Sequence, residues 1–258
     1  MGVDDEIRDA VDRIEKGESR ELKIYGDMAR LYHFLFGTEY DYSGQADAAT
    51  EKAPEKVRKI VDGGCGTGGL TVLLAERYPD AEVLGIDLNS TMLEVARDEN
   101  SSENLKYREE DLLNFKGSAD IYTVFGTVNH FDEDEVKGLF RKIFDSLNLG
   151  GVVAFDFKSP ESEKHQDGYI NYWSTETDDF KVENPVMTVY DDGQAYYSFS
   201  FCFTEKETGK EFYTGELMEI ELYTKEDILN MLTDVGFKQE NIEFREEGDQ
   251  SGIFVARK

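Results

Sequence analysis

The residues most able to do chemistry cluster at Asp62-Gly63-Gly64-Cys65-Gly66-Thr67-Gly68-Gly69, with Asp87, Asp111 and His130 following at intervals. A turn this rich in glycine lets the backbone bend sharply and lets a ligand approach with no Cβ in the way. If a helix begins just beyond it, that helix's free N–H groups point at the ligand. Gly64, Gly66 and Gly69 satisfy G-x-G-x-x-G, the dinucleotide pattern, while Asp62, Gly64, Gly66 and Gly68 satisfy a second pattern, D-x-G-x-G-x-G. Both expect an acidic residue about 20 residues on, ending the next strand and accepting hydrogen bonds from ribose hydroxyls. Asp87 supplies it, and the spacing alone does not separate the two ligands.

The elements that must position these residues follow from periodicity. Val57–Val61 is an apolar run of strand character, and Leu70–Arg77 after the turn reads as a helix. Ala81–Ile86 is a second strand, and Asn89 or Ser90 can cap a helix over Thr91–Arg97. Leu105–Leu112 and Ala119–Phe125 read as third and fourth strands. Acids at 132–135 open a helix where its dipole favours them, with a core stripe of Val136, Leu139, Phe140, Ile143, Phe144 and Leu147. Leu147–Asp156 then reads as a helix end, a Gly-Gly turn and a fifth strand.

Outside this core, Val3, Ile7, Val11 and Ile14 predict an amphipathic helix, and Met28, Leu31, Tyr32 and Leu35 a second one ending at Gly37. Residues 43–56 are small and polar and read as a linker. Between 158 and 223 come three strand-like runs, Val186–Tyr190, Ala195–Phe203 and Phe212–Tyr223, with turns at Asp192-Gly193 and Thr208-Gly209-Lys210. They predict a small antiparallel sheet, serving either as a substrate lid with an aromatic wall or as a structural flap or homodimer surface. Thr224 caps a last helix, Ile228–Val235, and Phe237–Phe244 with Gly252–Ala256 forms a terminal hairpin.

Composition narrows the function. The 258 residues carry 56 acidic against 28 basic side chains, a net charge of −28. That argues against nucleic acid as substrate, since phosphate binding needs clustered cations, and against anionic membrane surfaces. The acids are spread evenly, a pattern similar to proteins of salt-loving organisms, where molar salt shortens screening to ~3 Å. Lysine outnumbers arginine here, which departs from that pattern. No apolar run is long enough to span a bilayer, and an acidic N-terminus is not a signal, so a cytoplasmic location is expected. Two cysteines, Cys65 and Cys202, make neither a disulfide framework nor a metal cluster, and no metal is expected.

The second glycine pattern resembles the first motif of class I S-adenosylmethionine (SAM) methyltransferases. Asp111 after the third strand, the fourth strand, and Leu147-Asn148-Leu149-Gly150-Gly151 resemble later marks of that family in its order, from about residue 57 to 157. Within it the chain is similar to N,N-dimethyltransferases of nucleotide-linked amino sugars. The shared marks are a tyrosine-rich start, Gly126-Thr127-Val128-Asn129-His130-Phe131, the aromatic insert, and Gly252-Ile253-Phe254-Val255-Ala256.

The resemblance implies a Rossmann-like three-layer α/β/α sandwich. Its sheet would have seven mostly parallel strands with the last antiparallel, plus the antiparallel insert. It divides the chain into an N-terminal helical cap (1–42), a SAM-binding core (57–157 and 224–258) and a β lid (158–223). It implies SAM as cofactor and a small-molecule methyl acceptor, methylated at nitrogen or oxygen. Asp87 would bind ribose, Leu88 and Met92 would pack on adenine, and Asp111 with the Leu112 backbone N–H would read the adenine edge. Gly64, Gly66 and Gly68 would make room for the methionine moiety. Asp62 would accept from the cofactor's amino group or cap the loop, and Gly63, Phe125 and Tyr25 would complete the cofactor contacts. The tyrosine-rich helix would close over the cofactor, with His33 standing where the family has Asp. Tyr32 and His130 are the catalytic candidates, His130 as a base or as a structural histidine. A SAM-binding protein without catalysis and a nicotinamide-dependent oxidoreductase are the alternatives.

Overall fold

The computed structural model describes residues 2–18, 22–37, 40–191, 193–246 and 252–258. In chain order the helices and strands begin with α1 (Val3–Glu15), α2 (Ala29–Phe36), α3 (Tyr42–Glu51), β1 (Lys59–Gly63), α4 (Gly69–Arg77), β2 (Glu82–Asp87) and α5 (Ser90–Glu99). Then come β3 (Leu105–Glu109), β4 (Ala119–Val124), α6 (Glu133–Ser146), β5 (Leu147–Phe157) and α7 (Pro160–His165). The chain continues with β6 (Ile170–Glu176), β7 (Phe180–Asp191), β8 (Gln194–Glu205) and β9 (Glu211–Ile220), and ends with α8 (Lys225–Val235), β10 (Ile242–Glu246) and β11 (Gly252–Arg257). These elements fall into two compact units, one of Met1–Tyr40 with Gln166–Ile220 and one of Asp41–His165 with Glu221–Lys258.

The larger unit holds a seven-stranded sheet in the order β10-β11-β5-β4-β1-β2-β3. Every pairing is parallel except those of β11, which runs against both β10 and β5. Strand alternation divides the core: Val152 and Ala154 join the layer under α3 and α4, while Val153 and Phe155 join the layer under α6 and α8. Buried on both faces, β4 has no exposed residue, as a central parallel strand requires. The order switches direction between β4 and β1, and ligands of such sheets bind outside the carboxyl ends of the strands at that point. Gly150 and Gly151 lie within β5 rather than in a separate turn before it.

Residues 43–56 are not an extended linker. Asp41 caps α3 by accepting from the Gly44 N–H at 2.9 Å, and Ala46, Ala48 and Ala49 are buried against α4 and the sheet. Small residues without large apolar ones look like a loop in sequence, but here they allow a close helix approach.

In the smaller unit β6-β7-β8-β9 form an antiparallel meander, with one more strand (β6) than the sequence periodicity indicates. Phe180, Val182, Phe201, Phe203 and Phe212 on one face pack against Ile7, Ala10 and Val11 of α1 and Leu31 and Leu35 of α2. Met28 gives α2 no side-chain cap, and α1 provides one instead: the Glu6 carboxylate accepts from the Arg30 and Leu31 N–H groups at 3.0 and 2.8 Å. Pro185 lies in an interior strand and offers no N–H to the ladder. The neighbouring Asn184 Nδ2 donates to the Ser200 carbonyl at 2.8 Å in its stead. Of the expected Asp192-Gly193 turn, Asp192 lies outside the described residues; Asp191 pairs with Gln194 across it.

Candidate active site

The glycine turn leaves β1 with three residues in the left-handed region, Gly64, Gly66 and Gly68 at φ +70°, +52° and +83°. The Gly64 and Cys65 N–H groups donate to the Ile86 carbonyl, tying the turn to the end of β2. What crowds the glycines is mostly the protein itself. A Cβ on Gly64 would lie 2.1 Å from Thr127 Oγ1, and one on Gly68 would lie 2.2 Å from the Tyr107 hydroxyl. Gly63 is pressed by Leu112 and Tyr122, and Gly69 by the Tyr42 ring. Only the methyl of Met92, at 3.4 Å, approaches the corresponding position on Gly66, so Gly66 is the least crowded glycine of the turn.

Two carboxylates hold the turn from opposite sides. Asp62 is buried, with one oxygen accepting from Thr71 Oγ1 at 2.6 Å and the other from Thr123 Oγ1 at 2.7 Å. It thereby ties β1 to α4 and β4. Burial pushes its pKa up to about 6 against the pull of the two hydroxyls. Asp87 ends β2 and accepts from the Gly66 N–H at 2.9 Å and the Asn89 N–H at 2.8 Å, one bond to each oxygen. Desolvation raises its pKa, and the amide hydrogen bonds act in the other direction. The Leu88 N–H acts on the same carboxylate, whose two oxygens have room for about four donors.

Leu88 is 72% exposed, next to a carboxylate whose position is set by two amides. Met92 is buried on α5, whose start is capped by Asn89 Oδ1. Asp111 comes two residues after β3 and accepts from the Leu113 N–H at 2.8 Å and from Asn114 Nδ2 at 2.6 Å; Leu112 drops its side chain into the core. Phe125 follows the end of β4, half-buried against the α3–α4 layer.

His130 ends a short 3-10 turn, Val128–His130, past β4. It is exposed, yet protein crowds around it enough that desolvation pulls its pKa below the ordinary histidine value, while the Asp87 charge acts upward. The same interaction lowers the pKa of Asp87, so these two groups sense each other across the carboxyl edge of the sheet. Tyr25 and Tyr32 belong to the smaller unit, where their rings meet edge to face at 5.2 Å and Tyr32 shares a hydrogen bond with the Tyr40 hydroxyl.

Several residues of this region were invisible to spacing. Tyr107 on β3 supports the loop from below and donates to the Asn100 carbonyl at 2.6 Å; Asn100 Nδ2 in turn donates to the Thr67 carbonyl at 2.7 Å. Thr71, Thr123 and Asn129 are buried polar residues, and the partners of Thr123 and Asn129 lie far away in sequence. A polar residue inside an apolar strand, such as Thr123, was the one available signal.

A family model described as a methyltransferase domain matches residues 60–151, from β1 through the glycine turn, Asp87, Asp111 and His130 into β5. Residues 60–151 form a methyltransferase domain. The chain is similar to a malonyl-[acyl-carrier protein] O-methyltransferase of Acetivibrio thermocellus, 39% identical over 100 residues covering 37% of this chain and 34% of the relative. It is also similar to the demethylmenaquinone methyltransferase of Thermus thermophilus, 33% identical over 150 residues covering 53% of this chain and 66% of the relative. The chain thus spans about a third of the first relative and 66% of the second. Among solved structures, the sugar N-methyltransferase of Streptoalloteichus superposes with a TM-score of 0.72 at 20% identity, covering 93% of this chain and 96% of that one. At that identity the likeness shows the fold alone.

Proposed function

We propose that the chain is an enzyme that binds SAM at the carboxyl edge of the larger unit's sheet and moves its methyl group to a small molecule. The single observation that carries this is Asp87: a carboxylate anchored by the Gly66 and Asn89 amides, with room for another donor and an exposed leucine beside it. That arrangement fits a nucleoside, whose ribose diol wants two acceptors and whose base wants an apolar face. Leu88 and Met92 take the adenine faces, Asp111 its edge, and Gly63, Gly66 and Phe125 the remaining contacts. Tyr25 and Tyr32 keep, as proposals, the roles the resemblance implies.

When bound, SAM supplies a methyl group already activated on a positive sulfur. The chain's own task is alignment and exclusion of water. His130 then takes the proton from the acceptor's nitrogen or oxygen. Its depressed pKa keeps it neutral, hence able to accept, at neutral pH. The substrates named for the relatives, an acyl-carrier-bound malonyl group and an amino sugar among them, support a small acceptor and leave nitrogen and oxygen both open. We also propose that the acidic excess suits function in concentrated salt.

Calorimetry with SAM and with NAD tests the cofactor: saturable SAM binding without NAD binding is expected, and the reverse overturns the reading. Transfer of label from methyl-labelled SAM into small molecules of a cell extract tests catalysis. SAM binding without any transfer would leave a sensor or scaffold.

A further inference from the structure

We propose that Asn129 is the positioning residue for His130, holding the backbone on which the base is carried. This rests on the reading of His130 as the proton acceptor. Asn129 is buried, and its side chain is fully used. Nδ2 donates to the Lys158 carbonyl at 3.1 Å and to the Glu221 carbonyl at 2.5 Å, while Oδ1 accepts from the Lys158 N–H at 2.7 Å. Its own carbonyl accepts from the Glu221 N–H at 2.8 Å. Lys158 follows the last residue of β5 and Glu221 follows the last residue of β9, so one side chain gathers three segments far apart in sequence.

The pinning continues on the other side of the histidine. The Tyr223 hydroxyl donates to the Phe131 carbonyl, and the Tyr223 N–H donates to the Lys158 carbonyl at 3.2 Å. Both neighbours of His130 are therefore fixed while its ring is exposed. Such anchoring confines the ring relative to Asp87, the charged group that acts on it. The chemistry selects asparagine: two N–H donors meet two carbonyls and one oxygen meets an N–H. Aspartate offers only acceptors to those carbonyls when ionised, and alanine offers nothing.

The chain has three histidines, so each imidazole can be followed by NMR across pH in the intact protein. In Asn129→Ala and Asn129→Asp the His130 midpoint is expected to rise by about 0.5–1 unit as the ring gains solvent, with His33 and His165 unmoved. An unmoved His130 in a variant whose Lys158 and Glu221 amide signals have shifted overturns the proposal; so does an equal shift of all three rings. Should both variants fail to fold, exchange of the Asn129 side-chain amide in the unmutated protein decides. Slow exchange supports the clasp, and exchange as fast as an exposed amide overturns it. These readouts need neither cofactor nor acceptor, so a failure of SAM binding registers separately, by calorimetry.

Discussion

The Tyr107 hydroxyl lies 2.2 Å from where a Cβ on Gly68 would sit, and Gly68 itself has φ +83°. The glycine at the start of α4 is thus demanded twice, by backbone conformation and by a half-buried phenol that donates to the Asn100 carbonyl. Gly68→Ala is expected to cost about 2–4 kcal/mol, combining left-handed strain with a displaced ring. Tyr107→Phe, which loses only the hydrogen bond, should cost about 1 kcal/mol. Urea unfolding of both variants checks the ordering.

Asp62 makes stability depend on pH in a definite direction. Its pKa is raised to about 6 in the folded protein and is about 3.9 unfolded, so the folded state holds the extra proton between those values. Its contribution is therefore most favourable below about pH 4 and is lost as pH rises through about 6, on the order of 2–3 kcal/mol in all. Asp62→Asn should flatten that part of the profile relative to the parent. Unfolding free energies at pH 4 to 8 for both proteins test it.

Cofactor affinity should depend on Asp87 and Leu88 with little effect on folding from the latter. Asp87→Ala is expected to weaken SAM binding roughly 100-fold, from lost ribose bonds and a loosened Gly66. Leu88→Asp should weaken it about 10-fold while leaving Tm within a degree or two, because Leu88 is 72% exposed. Calorimetric titration with SAM and a thermal melt separate the two effects.

The proton-accepting role predicts a pH profile. With His130 depressed below the ordinary histidine value, the rate falls on acidification only below that value, where the ring is protonated. His130→Ala should lower kcat by about 10²–10⁴ and remove that acid limb, with SAM affinity retained. An alanine variant with full turnover and an unchanged profile removes the histidine from the mechanism.

A net charge of −28 on one chain repels itself at low ionic strength. Raising KCl from about 0.1 M to about 2 M should raise Tm by several degrees. A Tm independent of salt would argue against adaptation to brine.

Much of the larger unit was legible before folding. The Asp62–Gly69 turn, Asp87 and Asp111 are local signals: each depends on backbone geometry or on the end of one strand, and both are written in consecutive residues. The Thr224 cap was legible for the same reason, being closed within three residues by Asp227. Residues 43–56 misled because alanines carry no polarity contrast, and β6 was missed because its alternation of Tyr172 and Trp173 with polar residues is weak.

By itself the sequence determined the glycine turn, the alternation of strands and helices from β1 to β5, and the acidic composition, since these depend on spacing and residue content. Tertiary structure alone decided why Gly64 and Gly68 must be glycine, that both oxygens of Asp62 are bound by threonine hydroxyls, and that Asn129 clasps Lys158 and Glu221 beside His130. The physical reason is the same in each case. A buried polar group or a missing Cβ is answered by a partner dozens of residues away, and only packing brings the two together.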